Sequence, residues 1–109
     1  MTEQVFFQQV TLLVTHYNRS SSLERLLHAF TAIGCRFGDI VVSDDGSRDE
    51  HLQKIKQLQQ HLGFRLITTA VNKGLGNNIN KGQDAVSTPY TLYVQEDFEP
   101  AADFAAHFR

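Results

Sequence analysis

Apolar and polar positions along the chain follow two periods. Short runs rich in β-branched and apolar residues have the character of buried parallel strands, and they occupy residues 10–15, 39–43, 64–70 and 90–94. Between them, leucine, isoleucine and phenylalanine recur at helical intervals, which predicts three helices with one buried face each. This alternation predicts an α/β domain: an open, mostly parallel sheet of about four strands with helices on both faces.

Two serine–glutamate pairs mark the predicted helix starts. Ser21 precedes Glu24 by three residues, and Ser47 precedes Glu50 by the same interval. This is the spacing of a capping box, in which the serine side chain bonds a free backbone N–H of the first turn. The pattern therefore predicts that helices begin next to Ser21 and Ser47, and glycines that follow the first two helices end them.

The chain is expected to form one domain. Residues 1–9 mix Phe6 and Phe7 with polar residues and are interpreted as an N-terminal lead-in, whereas residues 10–109 form the domain proper. Arg65 lies within the third predicted strand, and a charge of this kind is typical of a strand at the edge of a sheet.

Each predicted strand ends in a polar segment. Asp44 and Asp45 emerge from the second strand, and Gly46 then allows a sharp turn. The other exits are Thr15-His16-Tyr17-Asn18, Asn72-Lys73-Gly74 and Gln95-Glu96-Asp97. Because the carboxyl ends of parallel strands share one edge, these groups are predicted to line one ligand crevice.

Composition narrows the class of protein. A net charge of −2 with scattered basic residues disfavours a nucleic-acid partner. Cys35 is the only cysteine, so an internal disulfide is impossible and a reducing, cytoplasmic location is expected. The histidines lack zinc-site spacing. No apolar stretch is long enough to cross a bilayer, and no signal-peptide pattern is present.

Four motifs occur in order at the predicted strand exits. They are Thr-x-Tyr-Asn at 15–18, Asp-Asp-Gly-Ser-x-Asp at 44–49, Asn-x-Gly at 72–74 and 80–82, and Gln-Glu-Asp at 95–97. Over roughly residues 10–100, the chain resembles the family 2 glycosyltransferases of the GT-A fold. The resemblance implies that the predicted sheet is the Rossmann-like, nucleotide-binding half of that fold.

The resemblance also implies a site for a nucleotide-sugar, with a UDP-sugar as the expected donor. Thr15 and Tyr17 would line the base pocket. Asp45 would accept a hydrogen bond from the imide N–H of the base, and Asp44 would shape the pocket or contact the ribose. The turn beside the nucleotide would be formed by Asn72 and Gly74.

A divalent cation, Mn²⁺ or Mg²⁺, is the implied cofactor. Asp97 would hold it, with Gln95 and Glu96 as further candidate ligands. Such a cation takes oxygen ligands and neutralises the charge on the departing diphosphate. Gln95 departs from the family pattern, which often has an aspartate here, so we expect weak metal affinity in the absence of nucleotide.

The chain stops at Arg109, shortly after the proposed metal motif. Complete family members continue well beyond this point, and the later part builds the site for a sugar or lipid-linked acceptor and supplies the general base. We therefore expect the acceptor half to be absent and assign no general base. In the full-length protein, the domain could lie at the cytoplasmic face of the membrane. The surface that the missing half would cover also makes self-association plausible.

Structural interpretations compete with these assignments. Residues 44–47 favour a turn and a helix start in any protein, and residues 72–74 are equally consistent with a plain strand-to-helix turn. Gly82 is better explained by close packing of a helix on the sheet than by ligand contact. His16 has no paired carboxylate in the sequence, so a loop role is favoured over catalysis. Cys35 is interpreted as a small packed residue.

Two other functions remain open. A receiver-type signalling domain has a similar length and strand order, but it needs an acidic pair after the first strand and an aspartate after the third. Here those strands end in Thr15-His16-Tyr17 and Thr69-Ala70-Val71, which disfavours that class. The second alternative is a non-catalytic nucleotide-binding or assembly module built on the same half-fold.

Overall fold

The computed structural model describes residues 4–101 and residue 104. The elements, in chain order, are β1 (Val5–His16), α1 (Ser20–Ala32), β2 (Cys35–Asp44), α2 (Asp49–Leu62), β3 (Arg65–Thr68), α3 (Leu75–Asp84) and β4 (Tyr90–Gln95). No helix in the described part of the chain combines the length and apolar character that a membrane span requires.

The four strands form one sheet in the order β3-β2-β1-β4, and every neighbouring pair is parallel. The predicted α/β class with an open parallel sheet is therefore confirmed. Strand β3 lies at an edge of this sheet, as Arg65 predicted. All four strands end at the same edge, so the polar exits meet there.

The helices cover opposite faces of the sheet. On one face, Leu12 and Val42 pack in a buried cluster with Leu26 of α1 and Ile55 of α2. On the other face, α3 lies so close that a Cβ atom at Gly82 would stand 2.5 Å from the Cδ1 atom of Leu13. The packing role predicted for Gly82 is thus confirmed.

The strand order places a topological switch point between β1 and β4. The chain moves outward from β1 through β2 to β3, and then returns across the other face through α3 to pair β4 with β1. In open α/β sheets, ligands bind outside the carboxyl ends of the strands at such a point. The topology alone therefore indicates where a ligand would lie.

The lead-in prediction for residues 1–9 is wrong for its described part, because β1 already begins at Val5. The early residues pair with the start of β2, as in Val5↔Cys35 and Phe7↔Phe37, and the two phenylalanine rings stack at 5.9 Å. Polar residues follow Phe7 and interrupt the apolar run that would have predicted the strand. They coincide with a register shift between Phe7 and Thr11. Residues 1–3 lie outside the described part.

Helices begin close to both serine–glutamate pairs, as predicted, but neither capping box forms. Helix α1 begins at Ser20 and α2 at Asp49, and neither has a side-chain hydrogen bond at its cap. Ser21 lies inside α1, where its hydroxyl accepts a hydrogen bond from Lys54 at 2.9 Å. The Ser47 hydroxyl donates instead to the Asp44 carboxylate, and its oxygen accepts the backbone N–H of Asn18 at 2.8 Å. Ser47 stands one residue before the cap of α2, which is Arg48.

Candidate functional site

A cleft of about 250 Å³ opens at the carboxyl ends of β1 and β4. Its walls come from all the strand exits and from the start of α3. The residues that line it are Thr15, His16, Tyr17, Asp45, Asn72, Gly74, Leu75, Asn78, Gln95 and Glu96. The structure therefore brings most of the sequence-predicted site residues to one place, and the exceptions are Asp44 and Asp97.

A larger cavity, of about 400 Å³, lies away from this cleft. It is lined by both apolar and polar residues, including Cys35 and Phe37 from the segment where β2 begins. None of the predicted site residues lines it. Volume alone would point to this cavity, but the convergent polar groups that fix a ligand lie in the smaller cleft.

Asp44 lies behind the cleft and is fully buried. Its carboxylate accepts hydrogen bonds from His16 Nδ1 at 2.8 Å, from the Thr68 hydroxyl at 2.8 Å, and from both the backbone N–H and the hydroxyl of Ser47. Burial raises the pKa of this carboxyl, but these hydrogen bonds together outweigh burial and lower the pKa to about 2. Asp44 is therefore ionised, and its carboxylate links His16, Ser47 and Thr68 inside the fold.

His16 has a role in the buried network that the sequence did not predict. It is 1% exposed, and its Nε2 atom accepts a hydrogen bond from the backbone N–H of Arg19 at 3.0 Å. The proton is therefore assigned to Nδ1, which donates to Asp44. The expectation that His16 lacks a carboxylate partner is wrong. The parallel register pairs His16 directly with Asp44, which a strand alignment could have indicated.

Asp45 ties the second strand exit to α3. Its two carboxylate oxygens accept hydrogen bonds from the backbone N–H groups of Lys73 at 2.8 Å and Gly74 at 3.0 Å. Gly46 permits this approach, because it has a φ of 72° and a Cβ atom there would lie 2.5 Å from the carbonyl carbon of Val71. The turn at residues 72–74 is thus held by a carboxylate that also faces the cleft.

The first strand exit forms the opposite wall. The Thr15 hydroxyl is hydrogen-bonded to the Tyr93 hydroxyl at 2.9 Å, whereas Tyr17 is 43% exposed at the rim. Asn18 has a φ of 50°, and its side-chain oxygen accepts the backbone N–H of Arg48 at 2.8 Å. These contacts hold the loop after β1 against β4 and against the loop after β2, and Tyr17 belongs to the loop that they hold in place.

Helix α3 contributes two polar residues that the sequence argument did not assign to the site. Asn78 is 2% exposed and lines the cleft. The Lys81 ammonium donates to the backbone carbonyl of Asp44. Burial lowers the pKa of Lys81, and the charges of Asp44 and Asp45 oppose this effect. The signal for both was the segment 77–82, in which Asn78 precedes the second Asn-x-Gly motif and Lys81 is the middle residue of that motif.

The candidate metal ligands follow β4. Gln95 and Glu96 line the cleft, and Asp97 lies exposed on the next turn. Glu96 lies 3.9 Å from the Arg19 guanidinium, and burial raises the pKa of its carboxyl. The described residues contain no group of three or more His, Cys, Asp or Glu side chains placed to hold a metal. The oxygen donors fit a hard cation that takes its remaining ligands from water and phosphate.

Comparison with known proteins identifies the class. The model of the family described as glycosyl transferase family 2 matches residues 11–107. The chain therefore belongs to glycosyltransferase family 2, and the resemblance drawn from the four motifs is confirmed.

Individual relatives agree with this assignment. Poly-beta-1,6-N-acetyl-D-glucosamine synthase from Staphylococcus aureus (strain COL) is 26% identical over 88 residues, which cover 81% of this chain and 21% of the relative. The chain thus spans about a fifth of the length of the curated relatives that it matches.

Solved structures share the fold. S. aureus TarS 1–349 in complex with UDP-GlcNAc has a TM-score of 0.77 at 21% identity, covering 92% of this chain and 30% of that one. The mannosyltransferase PcManGT from Pyrobaculum calidifontis, in complex with GDP-Man and Mn²⁺, has a TM-score of 0.75 at 18% identity, covering 97% and 34%. These neighbours confirm the GT-A architecture.

Proposed function

We propose that this chain is the donor-binding part of a glycosyltransferase and that its cleft holds a nucleotide-sugar, with UDP as the favoured nucleotide. The observation that carries the proposal is the convergence of the strand exits on one cleft at the switch point between β1 and β4. The solved neighbours that were crystallised with UDP-GlcNAc or GDP-Man add support for this class of ligand.

The base would enter beside Thr15 and Tyr17. The exposed ring of Tyr17 offers a face on which a nucleobase can stack, and Asp45 offers carboxylate oxygens for a base N–H. Each of these oxygens already accepts one backbone N–H but keeps further lone-pair capacity. Asn72 and Gly74 would border the nucleotide. Asp44, being fully buried, would shape the pocket and would not touch the ribose.

A divalent cation, Mn²⁺ or Mg²⁺, would be held by Asp97, with Gln95 and Glu96 beside it. The cation supplies Lewis-acid neutralisation of the diphosphate that leaves the sugar. In the absence of nucleotide, Glu96 faces Arg19, whose positive charge partly balances the negative charge of residues 95–97. The PcManGT complex, which contains Mn²⁺, adds support for a divalent cation in this class of protein.

Transfer also requires an acceptor and a base that deprotonates its hydroxyl. We assign neither to this chain, which spans only about a fifth of its curated relatives. A sugar or lipid-linked acceptor is proposed to bind to other parts of the full-length protein. The proposal includes a cytoplasmic location, at the membrane face where the acceptor is lipid-linked. A non-catalytic nucleotide-binding module is the second candidate, because the same short span is compatible with binding alone.

Thermal melting tests the donor site. The chain is titrated with UDP, GDP and ADP, each with and without Mn²⁺. A ligand that binds only the folded state adds about 2.7 kcal/mol to the free energy of unfolding at a hundredfold excess over Kd, and this raises the melting temperature. We expect the largest shift with UDP and Mn²⁺ together. Equal shifts for all three nucleotides, or none, would contradict the proposal.

Variants then locate the site. Asp97→Asn should remove most of the metal-dependent part of the shift, whereas Glu99→Gln, a matched change at an exposed carboxylate two residues away, should leave it intact. Asp45→Ala should weaken the nucleotide effect with or without metal. An unchanged response in both Asp97→Asn and Asp45→Ala would refute the residue assignments while leaving nucleotide binding itself standing.

A further inference from the structure

Asn78 occupies an unusual position for a polar side chain. It lies in the first turns of α3, is 2% exposed and forms part of the cleft wall. Its Oδ1 atom accepts a hydrogen bond from the Ser43 hydroxyl at 2.8 Å. Its Nδ2 atom faces the backbone carbonyl of His16 at 3.5 Å. Because a carbonyl oxygen can only accept, the His16 contact fixes which end of the amide is the donor.

The donor end of Asn78 retains capacity for a ligand. An amide NH₂ group carries two hydrogens, and a contact of 3.5 Å lies at the weak limit of hydrogen bonding. Within residues 4–101, the His16 carbonyl is the acceptor found for this group. A buried donor with a single weak acceptor is costly unless something else accepts from it. Because Asn78 lines the cleft, a bound molecule can do so.

The same cleft presents an acceptor beside this donor. The backbone N–H of Asp45 donates to the His16 carbonyl at 3.0 Å, so Asp45 and Asn78 are anchored to one oxygen atom. The Asp45 carboxylate is fixed by Lys73 and Gly74, and the Gly74 carbonyl in turn accepts the backbone N–H of Asn78 at 3.1 Å. The two residues that line the cleft are therefore held in place by a shared set of backbone groups, those of His16 and Gly74.

We infer that Asn78 is a specificity-determining residue that reads the nucleobase together with Asp45. The inference deepens the proposed function and rests on it. Asn78 would donate to a ring carbonyl while Asp45 accepts from the adjacent ring N–H. Uracil has this edge, with O4 next to N3–H, and guanine has the equivalent O6 and N1–H. Cytosine and adenine present the reverse order, an amino group next to a bare ring nitrogen. The pair therefore selects against both.

Comparison of UDP with CDP isolates this contact, because the two bases have the same size and differ only along the edge in question. Affinities are measured by calorimetry in saturating Mn²⁺ for the wild-type chain, Asn78→Ala and Asn77→Ala. Asn77 is an exposed neighbour on α3, so it serves as the matched control. We expect the wild type to prefer UDP, and the ratio of UDP to CDP affinity to fall about five- to tenfold in Asn78→Ala only.

A second measurement keeps the inference testable if Asn78→Ala folds poorly. In 4-thio-UDP, a sulfur atom replaces O4 and is a much weaker acceptor. The wild-type chain should bind 4-thio-UDP several-fold more weakly than UDP. Asn78→Asp, which keeps an oxygen for Ser43 but loses the NH₂ donor, should lose this discrimination.

The possible results separate the two proposals. A wild-type chain that binds no nucleotide overturns the proposed function and, with it, the role of Asn78. A wild-type chain that prefers UDP, with the same preference in Asn78→Ala, overturns the role of Asn78 alone. Equal binding of UDP and 4-thio-UDP by the wild type would also refute it.

Discussion

Protonation of Asp44 is expected to remove a large share of the stability of the fold. Its pKa in the folded chain is about 2, against an ordinary value of 3.8. A difference of this size corresponds to about 2 kcal/mol of stabilisation of the folded state. Because the folded pKa is the lower one, this stabilisation is present above about pH 4 and is lost as the pH falls toward 2. Asp44 is fully buried, so solvent screens it little.

Urea unfolding of the wild type and Asp44→Asn at several pH values between 2 and 7 measures this contribution. The variant should be less stable at pH 7, because its amide cannot accept from every donor around Asp44. Its unfolding free energy should also fall by about 2 kcal/mol less than that of the wild type as the solution is acidified. The control Asp84→Asn, at an exposed carboxylate, should follow the wild-type pH dependence.

Parallel pH profiles for the wild type and Asp44→Asn would show that ionisation of Asp44 does not stabilise the fold. An independent check follows the carboxyl carbon resonance of Asp44 through an acid titration of the wild type. A midpoint near 2 agrees with the hydrogen-bonded, buried carboxylate. A midpoint near 4 would mean that the hydrogen bonds do not outweigh burial.

Two further predictions concern packing and the buried network. Gly82→Ala should destabilise the fold by about 1–3 kcal/mol in urea unfolding, because the new Cβ atom would stand 2.5 Å from Leu13. Gly76→Ala on the same helix meets nothing within 4 Å and should be neutral or stabilising; equal effects would contradict the packing argument. His16→Ala should cost about 3 kcal/mol, because it leaves the Asp44 carboxylate short of a buried donor. His16→Asn, whose amide nitrogen lies near the position of Nδ1, should recover part of that loss, and no recovery would argue against the Nδ1–H donor.

Much of the fold could be predicted because its signals are local. Runs of β-branched residues and helical spacing of leucines mark elements that the structure contains, and Arg65 alone indicated the edge strand. Residues 5–9 were misinterpreted because strand β1 is partly polar before Thr11. Its start is stabilised by pairing with Cys35 and Phe37, which follow a whole helix later in the chain.

The site was predictable as a location but not as a network. Strand exits of a parallel sheet meet by geometry, so Thr15, Asp45 and Gln95 could be assigned to one cleft from the sequence. The pairing of His16 with Asp44 depends on the strand register, so it shows only when the first two strands are aligned and not in the local pattern of either one. The same limit explains the failed capping box at Ser47, whose hydroxyl bonds a buried carboxylate.

The carboxyl edge of the sheet, at the switch point between β1 and β4, is proposed to bind a nucleotide together with a divalent cation. Paramagnetic broadening of backbone amide resonances in the nitrogen-15-labelled chain tests it most directly, with UDP present and Mn²⁺ added in small steps against a Mg²⁺ reference. We predict that the signals of Tyr17, Gln95, Glu96 and Asp97 broaden first, and only when UDP is present. Broadening centred on residues 34–40, beside the larger cavity at the other edge, would place the cation outside the proposed site, and broadening that does not depend on UDP would show that nucleotide and cation do not bind together.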